Sequence, residues 1–210
     1  MSKAACIVYH SNALKIYQQE WITQCITSLQ KQTLKGVSFI ELNYGDGADQ
    51  FTKGEFHKIP FQNHIQAMNY LHDMCFNSGY DVVFNTNIDD YYDLNRFQVQ
   101  IEAIEQGAQI VSSNFGHIGG KTFIFHPMDI KQQLDINHNI IAHPVVAMHK
   151  SAWDTGERYM IDQLGYEDLN LWQRMINSGI KFKIVPDILL HYRLHPHQVG
   201  RINKAAWSVS

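Results

Sequence analysis

An α/β fold with a mostly parallel central sheet flanked by helices is what this sequence predicts, on two observations. Short apolar runs of strand length alternate with segments whose apolar residues recur at helical spacing, about four times within the first 115 residues. Several of the apolar runs end in polar turn clusters: His10-Ser11-Asn12, Asn43-Tyr44-Gly45-Asp46-Gly47 and Asn87-Ile88-Asp89-Asp90. In an open α/β sheet, strand exits of this kind converge on one crevice, where ligands gather.

The elements follow in order. Ala4 to Tyr9 is a buried strand, and Ile22, Cys25, Ile26 and Leu29 mark a helix ending near Gly36. Val37 to Leu42 is a second strand, stopped by the Asn43–Gly47 turn. Ile65, Met68, Leu71, His72 and Cys75 define a helix closed by Asn77-Ser78-Gly79, and Asp81 to Asn85 is a central strand running into Asp89 and Asp90. A helix with Phe97, Ile101 and Ile104 precedes a strand from Gln109 to Ser113. After Gly116 the alternation weakens. Thr122–His126 and His143–Met148 read as short strands, and Asp162–Gly165 as a loop. A helix from Glu167 to Ser178 and strands at Phe182–Val185 and Ile188–Leu194 follow. With no internal repeat, low-complexity tract or Gly/Ser/Pro-rich linker, residues 1–210 read as one domain.

Bulk properties exclude several classes. The chain has 210 residues, 45% apolar and 18% charged, with a net charge of −3 and a pI near 6.4. That balance gives no reason to expect nucleic acid or an anionic membrane surface as a partner. Cys6, Cys25 and Cys75 each lie in an apolar stretch and read as reduced, packed thiols. There is no glycosylation sequon and no signal-peptide pattern, and no apolar run reaches the roughly 20 residues of a membrane span. The expected location is cytoplasmic.

Three constellations carry chemistry. Asp89 and Asp90 follow an apolar strand, as metal-binding carboxylates do; the plain alternative is that they end the strand and cap a helix starting near Leu94. Glu167 and Asp168 open an amphipathic helix, where acidic residues are favoured by the helix dipole alone. His191, His195 and His197 would share one side of a strand, a spacing also compatible with zinc, although no Cys lies close in sequence. His117, His138 and His143 have no assignable role, and Trp153, Trp172 and Trp207 are core residues by default.

In combination, these segments resemble a known family, the GT-A fold glycosyltransferases, and within it family 2. Ser28-Leu29-Gln30-Lys31-Gln32-Thr33 matches S-L-x-x-Q-T, and Asn87-Ile88-Asp89-Asp90 falls where the family carries D-x-D-D. Glu167 to Arg174 matches E-D-x-x-L-W-x-R, and Tyr192-Arg193-Leu194-His195 matches Y-R-x-H. The order holds from about residue 4 to 201. Three positions depart: Asn87 replaces the first metal-motif Asp, Asn43-Tyr44 replaces the acidic pair that meets the uracil, and Met68 replaces an Arg beside a matching Asn69.

The resemblance implies an inverting, metal-dependent transfer of a sugar from a UDP-sugar to a hydroxyl of a glycan or similar acceptor. About 1–115 would be the nucleotide-sugar half and 116–210 the acceptor and catalytic half. It implies Asp168 as catalytic base, with Glu167 holding the acceptor or the helix, and Asp89 with His195 holding Mn²⁺ or Mg²⁺. Asp90 would hold the ribose or donor sugar. Tyr9, His10, Ser11, Asn43, Asp46, Asn69 and Asn87 complete the expected donor site. Trp153 borders the acceptor in this scheme, which gives it sugar stacking as an alternative to the core. The chain would be a free-standing small transferase or one domain of a larger glycosyltransferase. Two other readings stay open: a catalytically silent nucleotide-sugar or glycan-binding module, and a metal-dependent nucleotidyltransferase.

Overall fold

The structure is a computed structural model and describes residues 2–120, 122–123, 130–135, 139–163 and 166–196. The readings made for His126, His138, Gly165, His197 and Trp207 lie outside the described residues. Strands and helices alternate as β1 (Ala4–His10), α1 (Ala13–Ile16), α2 (Gln19–Gln30), β2 (Ser38–Asn43), β3 (Glu55–Lys58), α3 (His64–Asn77) and β4 (Val82–Phe84). Then come β5 (Tyr91–Tyr92), α4 (Arg96–Glu105), β6 (Ile110–His117), β7 (Thr122–Phe123) and α5 (Ile130–Asp135). The described chain ends with β8 (Ala147–His149), α6 (Lys150–Trp153), α7 (Glu167–Asn177) and β9 (Phe182–Tyr192).

One sheet runs in the order β3-β2-β1-β4-β8-β6-β9-β5, with β7 on β6. The pairings give β3, β2, β1, β4, β6 and β9 one direction, while β8, β5 and β7 oppose it. The expected mostly parallel sheet is therefore present. Its alternating side chains feed two cores. Ala5 and Ile7 pack with Ile65, Met68 and Leu71 of α3 and Leu171 and Trp172 of α7, whereas Cys6 and Val8 pack with Ile22 and Leu29 of α2 and Phe97 and Ile101 of α4. The three cysteines are free and buried. No helix among the described residues is long and apolar enough to cross a membrane.

The short elements α1, β5, α5 and α6 and a 3-10 turn at Ile161–Gln163 are absent from the sequence reading, and three further segments differ from it. Strand β3 is polar (Glu55, His57, Lys58) and pairs only with β2, so an edge position replaces the apolar alternation that a buried strand would show. Residues 143–145 form a 3-10 turn, and the strand begins only at Ala147. Pro144 has no N–H to give a ladder. The two C-terminal strands are one, β9, whose pairing with β6 shifts register around Asn114; there Asn114 Nδ2 donates to Pro186 O at 2.8 Å.

The S-L-x-x-Q-T segment explains how the acidic turn after β4 is held. Ser28 Oγ donates to Cys25 O at 2.7 Å and accepts from Tyr92 N–H at 3.1 Å. Buried Gln32 donates to Asp93 O at 2.7 Å and to Ser28 O at 3.1 Å, and its Oε1 accepts from Phe97 N–H at 3.0 Å. Thr33 N–H donates to Leu94 O at 2.8 Å. The end of α2 is thus stitched to residues 92–97, which immediately follow Asp89 and Asp90. Gln32→Leu keeps the volume but leaves these buried backbone groups unpaired, at about 1–3 kcal/mol for each orphaned group. We expect a loss of about 3 kcal/mol in urea unfolding; a loss below about 0.5 kcal/mol would show that the stitch does not hold the turn.

Candidate active site

The exits of β1 and β4 and the start of α7 meet around a cleft of about 580 Å³, lined among others by Tyr9, His10, Ser11, Asn87, Asp89, Glu167 and Asp168. It lies at the carboxyl ends of the strands, as the topology requires. A larger groove of about 740 Å³ runs along α2 and β5 and contains none of these groups.

At one end of the cleft, the chain leaving β9 folds back over the acidic turn. His195 Nε2 meets Asp89 Oδ2 at 2.7 Å, and both side chains are largely buried. The His195 ring lies against Trp21 and Tyr17, with centroids 5.2 and 5.5 Å away. Arg193 donates from Nε to Asp89 O at 2.9 Å and from its backbone N–H to Asp90 Oδ1 at 2.8 Å. Its guanidinium also donates to Gln24 Oε1 at 2.6 Å and lies 4.9 Å from the Trp21 ring centre. Asp90 is fully buried and its Oδ2 has no partner among the described residues; burial first and Asp89 second push its pKa well above the carboxylate range. The turn itself is clamped by Tyr92, whose hydroxyl accepts from Asn87 N–H at 2.8 Å.

Among the described residues, no cluster of three or more His, Cys, Asp or Glu could hold a metal. A carboxylate and an imidazole beside a cleft suit Mn²⁺ or Mg²⁺ nonetheless, because these ions take one or two carboxylates and complete their shell with phosphate oxygens and water. The donor set fits.

At the other end, Glu167 and Asp168 open α7. Glu167 Oε1 meets His64 Nε2 at 2.8 Å, which anchors it to the first residue of α3. Asp168 accepts from Leu169 N–H at 2.7 Å and from Asn139 Nδ2 at 2.9 Å. Desolvation, then the negative charge of Glu167, raise its pKa to about 6, against the lowering effect of those hydrogen bonds. Tyr9, Tyr17 and Tyr44 also line the cleft, and burial raises all three hydroxyls, so they remain donors.

The structure brings Tyr9, His10, Ser11, Asn87, Asp89, Glu167 and Asp168 to one cleft and puts His195 directly behind Asp89. Four expected donor residues sit elsewhere. Asn43 is buried and shapes its own loop, donating to Gly47 O at 3.1 Å and accepting from Gly45 N–H at 3.0 Å. Asp46 stands on the outside of that loop, with 82% of its side chain exposed. Asn69 bonds both ways to the Tyr159 backbone, at 2.9 and 3.1 Å. Asp90 secures Arg193 and is not among the residues lining the cleft. Asp89 and Asp90 do not cap α4 either; Asp93 Oδ1 accepts from Asn95 N–H there. Trp153 is a core residue, stacked on His72 at 4.7 Å and donating to Asp73 at 2.8 Å, so it offers no face to a sugar. His191 stacks on Tyr91 at 4.3 Å, and the strand ends at Tyr192, so His195 is not on the same strand.

Sequence reasoning gave no role to Tyr17, His64, Asn139 and His143, all in the cleft wall. His64 carried one signal, its position just after the helix cap Asn63; Asn139 and His143 come from the segment where periodicity fades.

Comparison with solved structures is decisive for the fold. TarS 1-349 of S. aureus in complex with UDP superposes with a TM-score of 0.68 at 14% identity, over 92% of this chain and 61% of that one. The same TarS fragment has been solved with UDP-GlcNAc, at a TM-score of 0.66 and 13% identity, over 94% of this chain and 60% of that one. The mannosyltransferase PcManGT of Pyrobaculum calidifontis, in complex with GDP-Man and Mn²⁺, gives 0.67 at 11% identity, over 99% of this chain and 60% of that one. The fold is GT-A. The GT-A chain described here spans about three fifths of the length of those structures. No family model and no curated protein sequence matches it.

The raised pKa of Asp168 gives a stability test. A carboxyl whose folded-state pKa lies above its unfolded value destabilises the fold as pH rises from about 4 through 6. Asp168→Asn removes that cost, so the variant should be more stable than wild type at pH 7, by about 1 kcal/mol after allowing for solvent screening. The difference should vanish below about pH 4. A variant less stable than wild type at pH 7 would show that the carboxylate is held for folding.

Proposed function

We propose that this GT-A domain is an inverting, metal-dependent glycosyltransferase that moves a sugar from a UDP-sugar to a hydroxyl of a glycan or similar acceptor. The observation that carries the reading is one cleft with a cation-type end, Asp89 and His195, and a base-type end, Asp168. The UDP, UDP-GlcNAc and GDP-Man complexes of the structural neighbours support a nucleotide sugar as ligand, and the Mn²⁺ in one of them supports a divalent ion.

The chain's own groups divide the work. Asp168 takes the proton from the acceptor hydroxyl; its pKa near 6 leaves it ionised at neutral pH but more basic than an exposed carboxylate. The acceptor oxygen attacks the anomeric carbon as the bond to the diphosphate breaks, and single in-line displacement inverts the configuration. Burial, and after it Glu167, which His64 fixes beside the base, keep its pKa high. Asp89 and His195 would hold the ion, which when bound supplies Lewis-acid neutralisation of the diphosphate. The tyrosine hydroxyls donate to phosphate or ribose oxygens.

A second reading, a silent sugar-nucleotide-binding module, is favoured by Asn87 and Asn43 at positions where the family has carboxylates. Turnover separates the two. Free nucleoside diphosphate as product fits the transferase, pyrophosphate would fit a nucleotidyltransferase, and no turnover fits the module.

Two further outcomes are expected. UDP should raise the melting temperature more with Mn²⁺ than without it, by linkage of binding to stability, and Asp89→Ala should abolish that difference. An unchanged Mn²⁺ dependence would remove Asp89 from the site. Turnover should rise with pH through about 6 as Asp168 loses its proton, and Asp168→Asn should cut it by roughly 10²–10⁴ while UDP affinity is retained. Full activity in that variant would place the base elsewhere.

A further inference from the structure

His143 is a histidine of the cleft wall with one ring nitrogen committed. It begins the 3-10 turn 143–145 and lines the wall of the cleft. Asn85 Nδ2 lies 3.1 Å from its Nε2 and donates to it; the same amide reaches the Tyr159 hydroxyl at 3.3 Å. A nitrogen that accepts in a neutral imidazole leaves the proton on the other one, so the ring carries it as Nδ1–H. Tyr159 meets the ring edge-on at 5.5 Å and Trp172 lies roughly parallel to it at 6.4 Å, which fixes its plane. Burial drives its pKa down to about 3, helped by His72 and opposed by Glu167, so the ring is a neutral donor at any working pH.

It shares the wall of one cleft with Asp89 and Asp168. Asn85, its anchor, lies on the same strand exit as Asn87 and Asp89, while Glu167 is one of the charges acting on the ring. In-line displacement puts the anomeric carbon between the diphosphate held near Asp89 and the hydroxyl activated by Asp168. His143 belongs to the wall around that path.

We propose that His143 donates its Nδ1–H to a ring substituent of the transferred sugar, a hydroxyl or acetamido oxygen, and so selects the donor. This rests on the glycosyltransferase reading above. A neutral donor flanked by Glu167 and Asp168 offers nothing to balance a sugar carboxylate, so the class selected is a neutral hexose or N-acetylhexosamine and uronates are rejected.

Titration calorimetry with Mn²⁺ present tests it, using UDP, UDP-glucose, UDP-N-acetylglucosamine and UDP-glucuronate on wild type, His143→Ala and His143→Asn. Wild type should bind one neutral UDP-sugar more tightly than UDP, and UDP-glucuronate no more tightly than UDP. His143→Ala opens onto the cleft, where water can satisfy Asn85. It should keep UDP affinity within about twofold and weaken the preferred UDP-sugar by about tenfold, the usual effect of one lost hydrogen bond. His143→Asn, which offers an amide N–H near the position of Nδ1, should recover part of the loss. Equal weakening of UDP and UDP-sugar, unchanged sugar affinity, or a preference for glucuronate would overturn the role. Imidazole ¹⁵N NMR of the wild type needs no variant: the His143 Nδ1 resonance should move with the UDP-sugar and not with UDP, and the reverse would overturn the proposal. Wild type that binds neither UDP nor any UDP-sugar would sink the glycosyltransferase reading itself, whereas tight binding with unaltered selectivity in the variants would sink only the part assigned to His143.

Discussion

The closure of residues 193–195 over the turn after β4 is the contact on which the arrangement of the cleft depends. The bonds that make it include Asp90 to the Arg193 backbone, Arg193 to the Asp89 carbonyl, and His195 to the Asp89 carboxylate. They join parts of the chain more than a hundred residues apart, so forming them carries a loop-closure cost that the β6-β9 pairing shares. A buried carboxylate with one oxygen unpartnered, as in Asp90, is unfavourable by itself. It is kept because Arg193 supplies both a backbone donor and a nearby positive charge. The arrangement orders the carboxylate of Asp89 without using it up as a structural group.

The far end of the cleft is built on a different principle. Asp168 sits at a helix N-terminus, where the helix dipole and the Leu169 amide favour the anion, yet burial and Glu167 outweigh them and raise its pKa. Two carboxylates side by side in a half-desolvated pocket are a local defect in stability and a gain in basicity. His64 limits the defect by bonding Glu167, so the repulsion falls on the residue that has to accept a proton.

Much of this was legible in the sequence. The alternation through Ile110 depends on apolar spacing, which the physics of burial imposes locally, and the helices at 19–30, 64–77, 96–105 and 167–177 all appear where their apolar stripes put them. Asp89, Glu167 and Asp168 were readable because each is an acidic residue at the edge of a strongly patterned element. Asn43 and Asn69 lie outside the cleft lining for the opposite reason. A side chain at a strand exit or on a helix face looks equally available to a ligand or to the backbone, and in both cases the backbone took it. Strand β3 had no apolar pattern to read, since an edge strand needs none.

The sequence by itself determined the layered α/β architecture, the strand exits that make the crevice, and the acidic residues that occupy it, because those follow from periodicity and turn chemistry within short windows. Only the tertiary structure decided which polar residues face the cleft and which are spent on the frame. It set Tyr44 at the wall and Asn43 behind it, Asp89 at the cleft and Asp90 beneath it, and it brought His64, Asn139 and His143 in from segments with no local signal. The physical reason is that a side chain's role depends on which partner reaches it first in three dimensions, and that competition is settled by packing between elements far apart in the chain.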